Sequence, residues 1–363
     1  MIGDIFVINP TVHAYNLRDD NLRDNEVSRG FRKTLWGLHS MWNPPEYQVT
    51  REMYYSDWSA ELLARTLFLE SGVDLAGNQN LRLDSWFHDG LCSHEKNLEV
   101  AERWPDRFVT YVGVDPTAGL DVCLRELREQ MAQLPRSIGL KLYPDQVQPL
   151  RSWRMDDPSL AYPLFEAAQE LGIRTIAVHK AVPNGPVPMN PYRVDDVDGA
   201  AIHFPDLNFE IVHSGLAFAD ETAHAIGRFP NVYANLEITS LLLHKRRGFF
   251  EEILGLFMMW AGTRKIIYSD GSLFCHSQPL LERLVEFELS ERALDKFGVE
   301  QLTMTDKALI LGGNYARIVG LDIEQAKARI ADDEFSRAVR EHGLAEPYSN
   351  WRAVAGAGQA VAG

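Results

Sequence analysis

Six polar residues of the sequence occupy positions at which predicted β-strands end. They are His13, Lys141, His179, His213, Glu237 and Asp270. The carboxyl ends of parallel strands meet at one edge of an α/β sheet, so these side chains are expected to converge there. Imidazoles and carboxylates together are typical ligands of Zn, Fe or Mn. The histidines with Asp270 and Glu237 therefore predict a divalent metal site, and Asp270, Glu237 and Lys141 are the candidates for catalytic roles.

Several of these polar residues could instead have a purely structural role. A single histidine at a strand end is more often a hydrogen-bonded core residue, and Lys141 and Glu237 could each belong to an ordinary ion pair. A second group, His88, Cys92 and His94, is interpreted as loop residues rather than as a second metal site.

The elements that must position these residues alternate between short apolar strands and helices. The strands are predicted at 5–9, 73–76, 108–114, 138–142, 174–178, 209–212, 232–236 and 265–268. The first is expected to stop at Pro10, with His13 just beyond its end. Eight βα units in one chain are typical of a (β/α)8 barrel. A doubly wound open sheet is the alternative, but no Gly-rich phosphate loop follows the first strand.

Two segments lie outside this alternation. Residues 14–59 are crowded with aromatic side chains, which is unlike a disordered linker, and are predicted to form a large irregular loop that covers the barrel mouth or a partner subunit. Residues 282–321 are predicted to add outer helices. We expect one domain over 1–352 and a low-complexity tail over 353–363.

The overall composition excludes some functions. The 363 residues carry a formal net charge of −15, which argues against nucleic acid as a partner. Three cysteines without CxxC spacing favour a reducing, cytoplasmic environment. No basic segment opens the sequence, so no signal peptide is expected. The longest apolar helix-like run, 253–262, is far shorter than the ~20 residues of a membrane span.

Five short motifs resemble the amidohydrolase superfamily, in particular its amidohydrolase-related branch, family 2. They lie at 139–144, 177–180, 211–215, 268–271 and 313–317. The resemblance implies a (β/α)8 barrel whose metal ligands are an HxH pair after strand 1, histidines after strands 5 and 6, and an aspartate after strand 8. His179, His213 and Asp270 match these positions. At strand 1 only His13 matches, because Thr11 stands where the first histidine of the pair would be.

The opening segment 11–16, the bulky insertion after strand 1 and the later ligand set are most similar to a smaller branch, the dinuclear non-haem metal oxygenases. The α-aminoisobutyric acid hydroxylases belong to it. This resemblance implies an Fe-containing metal pair (Fe with Mn or Fe), O2 as co-substrate, and hydroxylation of an unactivated C–H bond of a small amino-acid-like substrate. It also implies a second amidohydrolase-like subunit and an external electron donor. Glu237 or a carboxylated Lys141 would then bridge the metals.

Two other functions stay open from the sequence. One is a hydrolase or decarboxylase with a single Zn or Mn ion, in which His213 or Asp270 acts as acid or base. The other is a non-catalytic barrel that keeps a structural metal and supports a partner. The number of metals per chain and the uptake of O2 distinguish these functions from the oxygenase.

Overall fold

The computed structural model describes residues 1–214 and 216–353, and its centre is one eight-stranded parallel sheet. The strands are β1 Ile8–Val12, β2 Leu75–Gln79, β3 Phe108–Gly113, β4 Gly139–Leu142, β5 Thr175–His179, β6 Asn208–Val212, β7 Val232–Asn235 and β8 Ile266–Ile267. They follow one another in the sheet in the order of the chain. The predicted (β/α)8 barrel is therefore confirmed. Two further strands, Asp145–Gln146 and Arg151–Ser152, form a small separate hairpin after β4.

The strands alternate with helices, most of which pack outside the sheet, as βα crossovers require. They are α1 Glu26–Trp42, α2 Arg51–Tyr54, α3 Ala60–Leu69, α4 His94–Arg103, α5 Leu120–Gln133, α6 Ala161–Glu170, α7 Val197–His203, α8 Ala219–Arg228, α9 Leu242–Lys245, α10 Arg247–Ala261, α11 Ser277–Glu286, α12 Glu291–Phe297, α13 Met304–Ala308, α14 Asn314–Val319, α15 Ile323–Ile330 and α16 Glu334–His342. Among the described residues, none of these helices has the length and apolar composition that a bilayer crossing requires.

In the described residues, β1 and β8 pair at the carboxyl end of the barrel. There Val12 and Ser272 form a parallel bridge, and the backbone N–H of His13 donates to the carbonyl of Ser272 at 2.6 Å. Nearer the amino end a π-helical turn, Leu309–Gly313, takes the place of direct pairing, and the carbonyl of Ile310 accepts a hydrogen bond from the backbone of Tyr268. The closure therefore fixes the ends of β1 and β8, where His13 and Asp270 lie.

The first strand differs from its prediction. It begins at Ile8 and continues through Pro10 to Val12, so the expected stop at Pro10 is wrong. The pairing register of β1 with β2 shifts between Asn9 and Val12, which marks a bulge. A bulge tolerates proline because no ladder hydrogen bond is needed from that nitrogen. His13 still follows directly after the strand.

The long segment after β1 also differs from its prediction. It is not an irregular loop throughout, because α1 occupies 17 of its residues. Asn25 caps this helix by accepting a hydrogen bond from the backbone N–H of Ser28 at 2.8 Å. Phe31, Leu35 and His39 recur every four residues and are buried on one face. This face lies over the carboxyl end of the barrel, so the expected cover of the mouth is a helix.

Two stretches that the sequence singles out extend beyond the described residues. Gly215, the last residue of the 211–215 motif, and the tail from residue 354 onward lie outside them. The assignment of residues 1–352 to one domain stays a prediction.

Candidate active site

Five of the six predicted site residues line one small cavity at the carboxyl end of the barrel. The cavity has a volume of about 60 Å³ and is bounded by His13, Lys141, His179, His213 and Glu237. Its roof is apolar and comes largely from α1 and the loop after β5. A larger cavity of about 530 Å³ lies at the amino end of the strands, but none of the predicted residues lines it. The chemistry of the side chains therefore makes the smaller cavity the candidate active site.

The hydrogen bonds of two histidines fix which of their nitrogens carry protons. His179 Nε2 lies 2.5 Å from the carbonyl oxygen of Val182, so this nitrogen must donate. Burial lowers the pKa of His179 well below its ordinary value, so the ring is neutral and its Nδ1 accepts. His213 Nε2 lies 2.8 Å from that Nδ1 and must donate to it. Because burial lowers the pKa of His213 as well, its Nδ1 carries a bare lone pair.

The bare nitrogen of His213 meets the carboxyl group of Glu237. Glu237 Oε2 contacts His213 Nδ1, but not in hydrogen-bond geometry, so in the described part of the chain both atoms are buried without a hydrogen-bond partner. His13 Nδ1, in the same cavity, also has no partner among residues 1–214 and 216–353. Burial lowers the pKa of His13 well below its ordinary value. Unpaired acceptors in a buried cavity are costly unless a proton or a cation lies between them.

Lys141 and Glu237 bring the two opposite charges of the cavity. Burial is the largest effect on both, and it lowers the pKa of Lys141 and raises the pKa of Glu237. Attraction between the two groups opposes burial, because it raises the pKa of Lys141 and lowers the pKa of Glu237. The ammonium of Lys141 also lies 5.3 Å from the centre of the Tyr143 ring. Burial therefore disfavours the charged form of each group, and their proximity favours it.

Asp270 is placed beside the cavity and does not line it. Its Oδ1 accepts hydrogen bonds from Asn9 Nδ2 at 2.7 Å and from the backbone N–H of Ser272 at 2.9 Å, and its Oδ2 accepts from the hydroxyl of Tyr268. Burial raises its pKa. The structure thus brings five predicted residues together. The sixth, Asp270, is hydrogen-bonded to Asn9 of β1 and to Ser272 at the barrel closure. Its role as a metal ligand stays a prediction.

Comparison with known proteins adds to this geometry. The model of one protein family, described as amidohydrolase, matches residues 41–321, which is most of the chain. The chain belongs to the amidohydrolase family. This amidohydrolase is therefore an enzyme of that superfamily, and the matched region contains five of the six predicted site residues, all except His13. A search of curated protein sequences found no match.

Solved structures similar to this amidohydrolase share its fold at low sequence identity. An uncharacterised TIM-barrel protein from Bordetella bronchiseptica has a TM-score of 0.59 and 18% identity over 89% of this chain and 99% of its own. 5-Carboxyvanillate decarboxylase from Sphingomonas paucimobilis has a TM-score of 0.54 and 16% identity, over 88% of this chain and 100% of its own. The same enzyme from Novosphingobium aromaticivorans, complexed with manganese, has a TM-score of 0.53 and 12% identity, over 88% of this chain and 97% of its own. These similarities show the barrel fold alone.

The side-chain nitrogen and oxygen atoms of the cavity suit a metal ion by their chemistry, although they are not arranged around one. Among residues 1–214 and 216–353, no three His, Cys, Asp or Glu side chains form a preorganised metal cluster. The chemistry of the free donors nevertheless fits, because His13 Nδ1, His213 Nδ1 and Glu237 Oε2 are neutral imidazole and carboxylate atoms without partners. Small side-chain movements would have to separate His213 and Glu237 to admit an ion.

The sequence did not reveal several residues of the cavity. Tyr15 and Tyr143 line it, and each lies two residues after a predicted site residue, so the alternation along an extended chain could have indicated them. Phe31 and Leu35 cover it from α1 and would follow from recognising that helix. Asn184 lies in an irregular loop after β5, and no local pattern marks it.

Proposed function

We propose that this amidohydrolase is a metal-dependent hydrolase or decarboxylase that acts on a small molecule bearing a carboxylate or carbonyl group. The observation that carries the proposal is the contact of His213 Nδ1 with Glu237 Oε2 in a buried cavity that His13 also lines. Within residues 1–214 and 216–353, these two atoms and His13 Nδ1 have no hydrogen-bond partner. A divalent cation such as Zn or Mn is the partner that would satisfy all three. The volume of about 60 Å³ restricts the substrate to a small one unless α1 moves.

Family membership and similar folds support this function. Two of the similar structures are decarboxylases by name, and one of them is complexed with manganese. Both are barrels of the same fold, although their identity to this chain is too low to transfer their substrates.

The side chains of the cavity have distinct roles in this proposal. A bound metal would polarise a substrate carbonyl or carboxylate or activate water. His13, His213 and Glu237 would hold the ion, with His179 orienting His213 through their hydrogen bond. The ammonium of Lys141 would bind the anionic group of the substrate. The apolar roof of α1 excludes bulk water and thereby strengthens these charge interactions.

The proposal is tested by metal analysis of the full-length protein. We expect one Zn or Mn per chain by elemental mass spectrometry, and no O2 uptake during turnover of small carboxylic acids or amides. His213→Asn should lose the metal while the circular dichroism spectrum is retained, because asparagine tolerates the positive φ of 62° at this position. His203→Ala, an exposed histidine on α7, is the matched control. Full metal occupancy in His213→Asn would overturn the proposal.

The dinuclear oxygenase is the second candidate. One observation favours iron and O2 chemistry: the free donors are two imidazoles and one carboxylate, which is the ligand set that holds one iron in many non-haem oxygenases. It would additionally require a second metal, a reductant and, by family resemblance, a second amidohydrolase-like subunit. Two metals per chain including iron, with O2 uptake coupled to substrate hydroxylation, would favour this candidate over the first. Activity that needs another subunit with its own complete site would instead favour a supporting, non-catalytic role.

A further inference from the structure

The loop after β5 brings an asparagine into the cavity that contains Lys141. Asn184 is buried and lines the cavity, and its side-chain Nδ2 has no hydrogen-bond partner in the described part of the chain. A buried amide nitrogen without an acceptor is uncommon in proteins, and each such group calls for an explanation. A ligand oxygen in the cavity is one such explanation.

The backbone around Asn184 is held in place. Its N–H donates to the hydroxyl oxygen of Tyr192 at 3.2 Å, and that hydroxyl donates to Asp145 Oδ1 at 2.7 Å. Asp145 follows β4 and Tyr192 lies further along the same loop, so the loop is tied to the neighbouring unit of the barrel. Asn184 is therefore positioned by a buried hydrogen-bond chain rather than by a free loop.

Lys141 is the second donor without a partner in the same cavity. Its side chain is buried, and within residues 1–214 and 216–353 its ammonium makes no hydrogen bond, although it carries three N–H groups. Among the described residues that line the cavity, Lys141 is the one lysine, and no arginine lines it. Glu237 and Glu210 attract this charge but accept no hydrogen bond from it in the described residues. An ammonium with free N–H groups in a buried cavity favours an anionic ligand, because hydrogen bonds between charged groups are stronger than those to neutral acceptors.

We propose that Lys141 and Asn184 together bind a carboxylate group of the substrate, one oxygen to each, so that the substrates of this enzyme are small carboxylic acids. The inference rests on the proposed function, since it concerns the same cavity, and it names the chemical class of the substrate. The ammonium supplies charge selection, and the amide fixes the orientation of the carboxylate relative to His13, His213 and Glu237. Asn184 is thus a specificity-determining residue.

The experiment measures the binding of acetate and of its neutral analogue acetamide to the full-length protein by isothermal titration calorimetry. Metal-free protein, prepared with a chelator that is then removed, and manganese-loaded protein are compared. We expect acetate to bind the metal-free protein and acetamide not to bind. Asn184→Ala should weaken acetate binding about tenfold, as the loss of a hydrogen bond to a charged group does, and Lys141→Met should weaken it further. Asn190→Ala, an exposed asparagine of the same loop, should leave binding unchanged.

Three results would overturn the inference: no acetate binding to the metal-free wild type, equal binding of acetamide, or an unchanged acetate affinity in Asn184→Ala. The last result would be expected if the amide turned to the free Oδ2 of Asp145 instead of the cavity. Melting temperatures of the variants show whether each has folded. Failure of the proposed function would give a different result. If the protein bound no metal but still distinguished acetate from acetamide, the metal chemistry would be wrong and the carboxylate site would stand.

Discussion

The carboxylate of Glu237 occupies the space beside Gly271 that a Cβ atom at this position would need. A side chain at position 271 would overlap Glu237 Oε1, and Gly271 also adopts a positive φ of 74°. Glu237 follows β7 and Gly271 follows β8. The residues after these two neighbouring strands are therefore in close contact. The absence of a side chain at 271 lets the carboxylate reach the bare nitrogen of His213.

Replacing Gly271 with alanine should therefore displace Glu237 from the cavity. Displacement of a reacting group by about 1 Å can reduce turnover by about 100-fold, and we expect a loss of that order in kcat. The positive φ adds a smaller loss of stability, of about 1 kcal/mol. Steady-state kinetics with a substrate identified for the wild type, together with thermal melting, would separate the two effects. Wild-type kcat in a folded Gly271→Ala protein would contradict the importance of this contact.

Glu210 in the barrel interior is predicted to stabilise the fold rather than to bind substrate. Its carboxylate accepts hydrogen bonds from the hydroxyls of Tyr111 and Thr175 and from Asn235 Nδ2, at 2.7 to 2.9 Å. Glu210→Ala would leave these donors without their acceptor, at a cost of about 3 kcal/mol in the free energy of unfolding. Urea denaturation measures this loss. The exposed Glu166→Ala on α6 is the control, and an equal effect of both substitutions would refute the prediction.

His39 should make the attachment of α1 sensitive to acid. Its Nδ1 donates to the carbonyl of Phe274 at 2.9 Å, and its Nε2 accepts from the backbone N–H of Val49 at 3.2 Å. Burial lowers the pKa of His39 to about 4. The unfolded chain therefore binds the proton more readily than the folded one between the ordinary pKa of about 6.5 and pH 4.

The free energy of unfolding should consequently fall as the pH drops through this window, by at most about 3 kcal/mol from this residue. Other buried histidines contribute as well, so the difference between the wild type and His39→Gln isolates the effect. Denaturation curves at several values of pH from 7 to 4 are the measurement. If both proteins lost stability in parallel, His39 would not be responsible for the acid sensitivity.

Gly312 should be required for the closure of the barrel. It lies in the π-helical turn between β1 and β8, and a Cβ atom there would overlap the carbonyl oxygen of Phe6. Gly312→Ala should lower the free energy of unfolding by about 2 kcal/mol, as overpacking against a backbone does. Gly37→Ala, in α1, meets open space and should raise it by about 0.5–1 kcal/mol. Thermal melting of the two variants provides the comparison, and the same sign of shift in both would contradict it.

The sequence predicted the barrel, and the convergence of five polar side chains at its carboxyl end, because the signals were local. Each strand is a short apolar run, and His13, His179, His213 and Glu237 follow such runs within two residues. The two errors in the fold prediction arose where a local pattern was misleading. Pro10 suggested the end of a strand, whereas the bulge that accommodates it depends on pairing with β2. The helix α1 was missed because the aromatic residues of its segment, which include Trp36 and Trp42 of the helix, drew attention away from the helical spacing of Phe31, Leu35 and His39.

The sequence by itself determined which residues stand at the carboxyl ends of the strands, because strand length and polarity are properties of the local chain. Only the tertiary structure decided which of them meet. Asp270 is directed to Asn9 by the barrel closure, and Asn184 enters the cavity because Tyr192 and Asp145 hold its loop. Hydrogen bonds between residues distant in the chain set these orientations, and no local pattern records the direction in which a side chain points once its strand has ended.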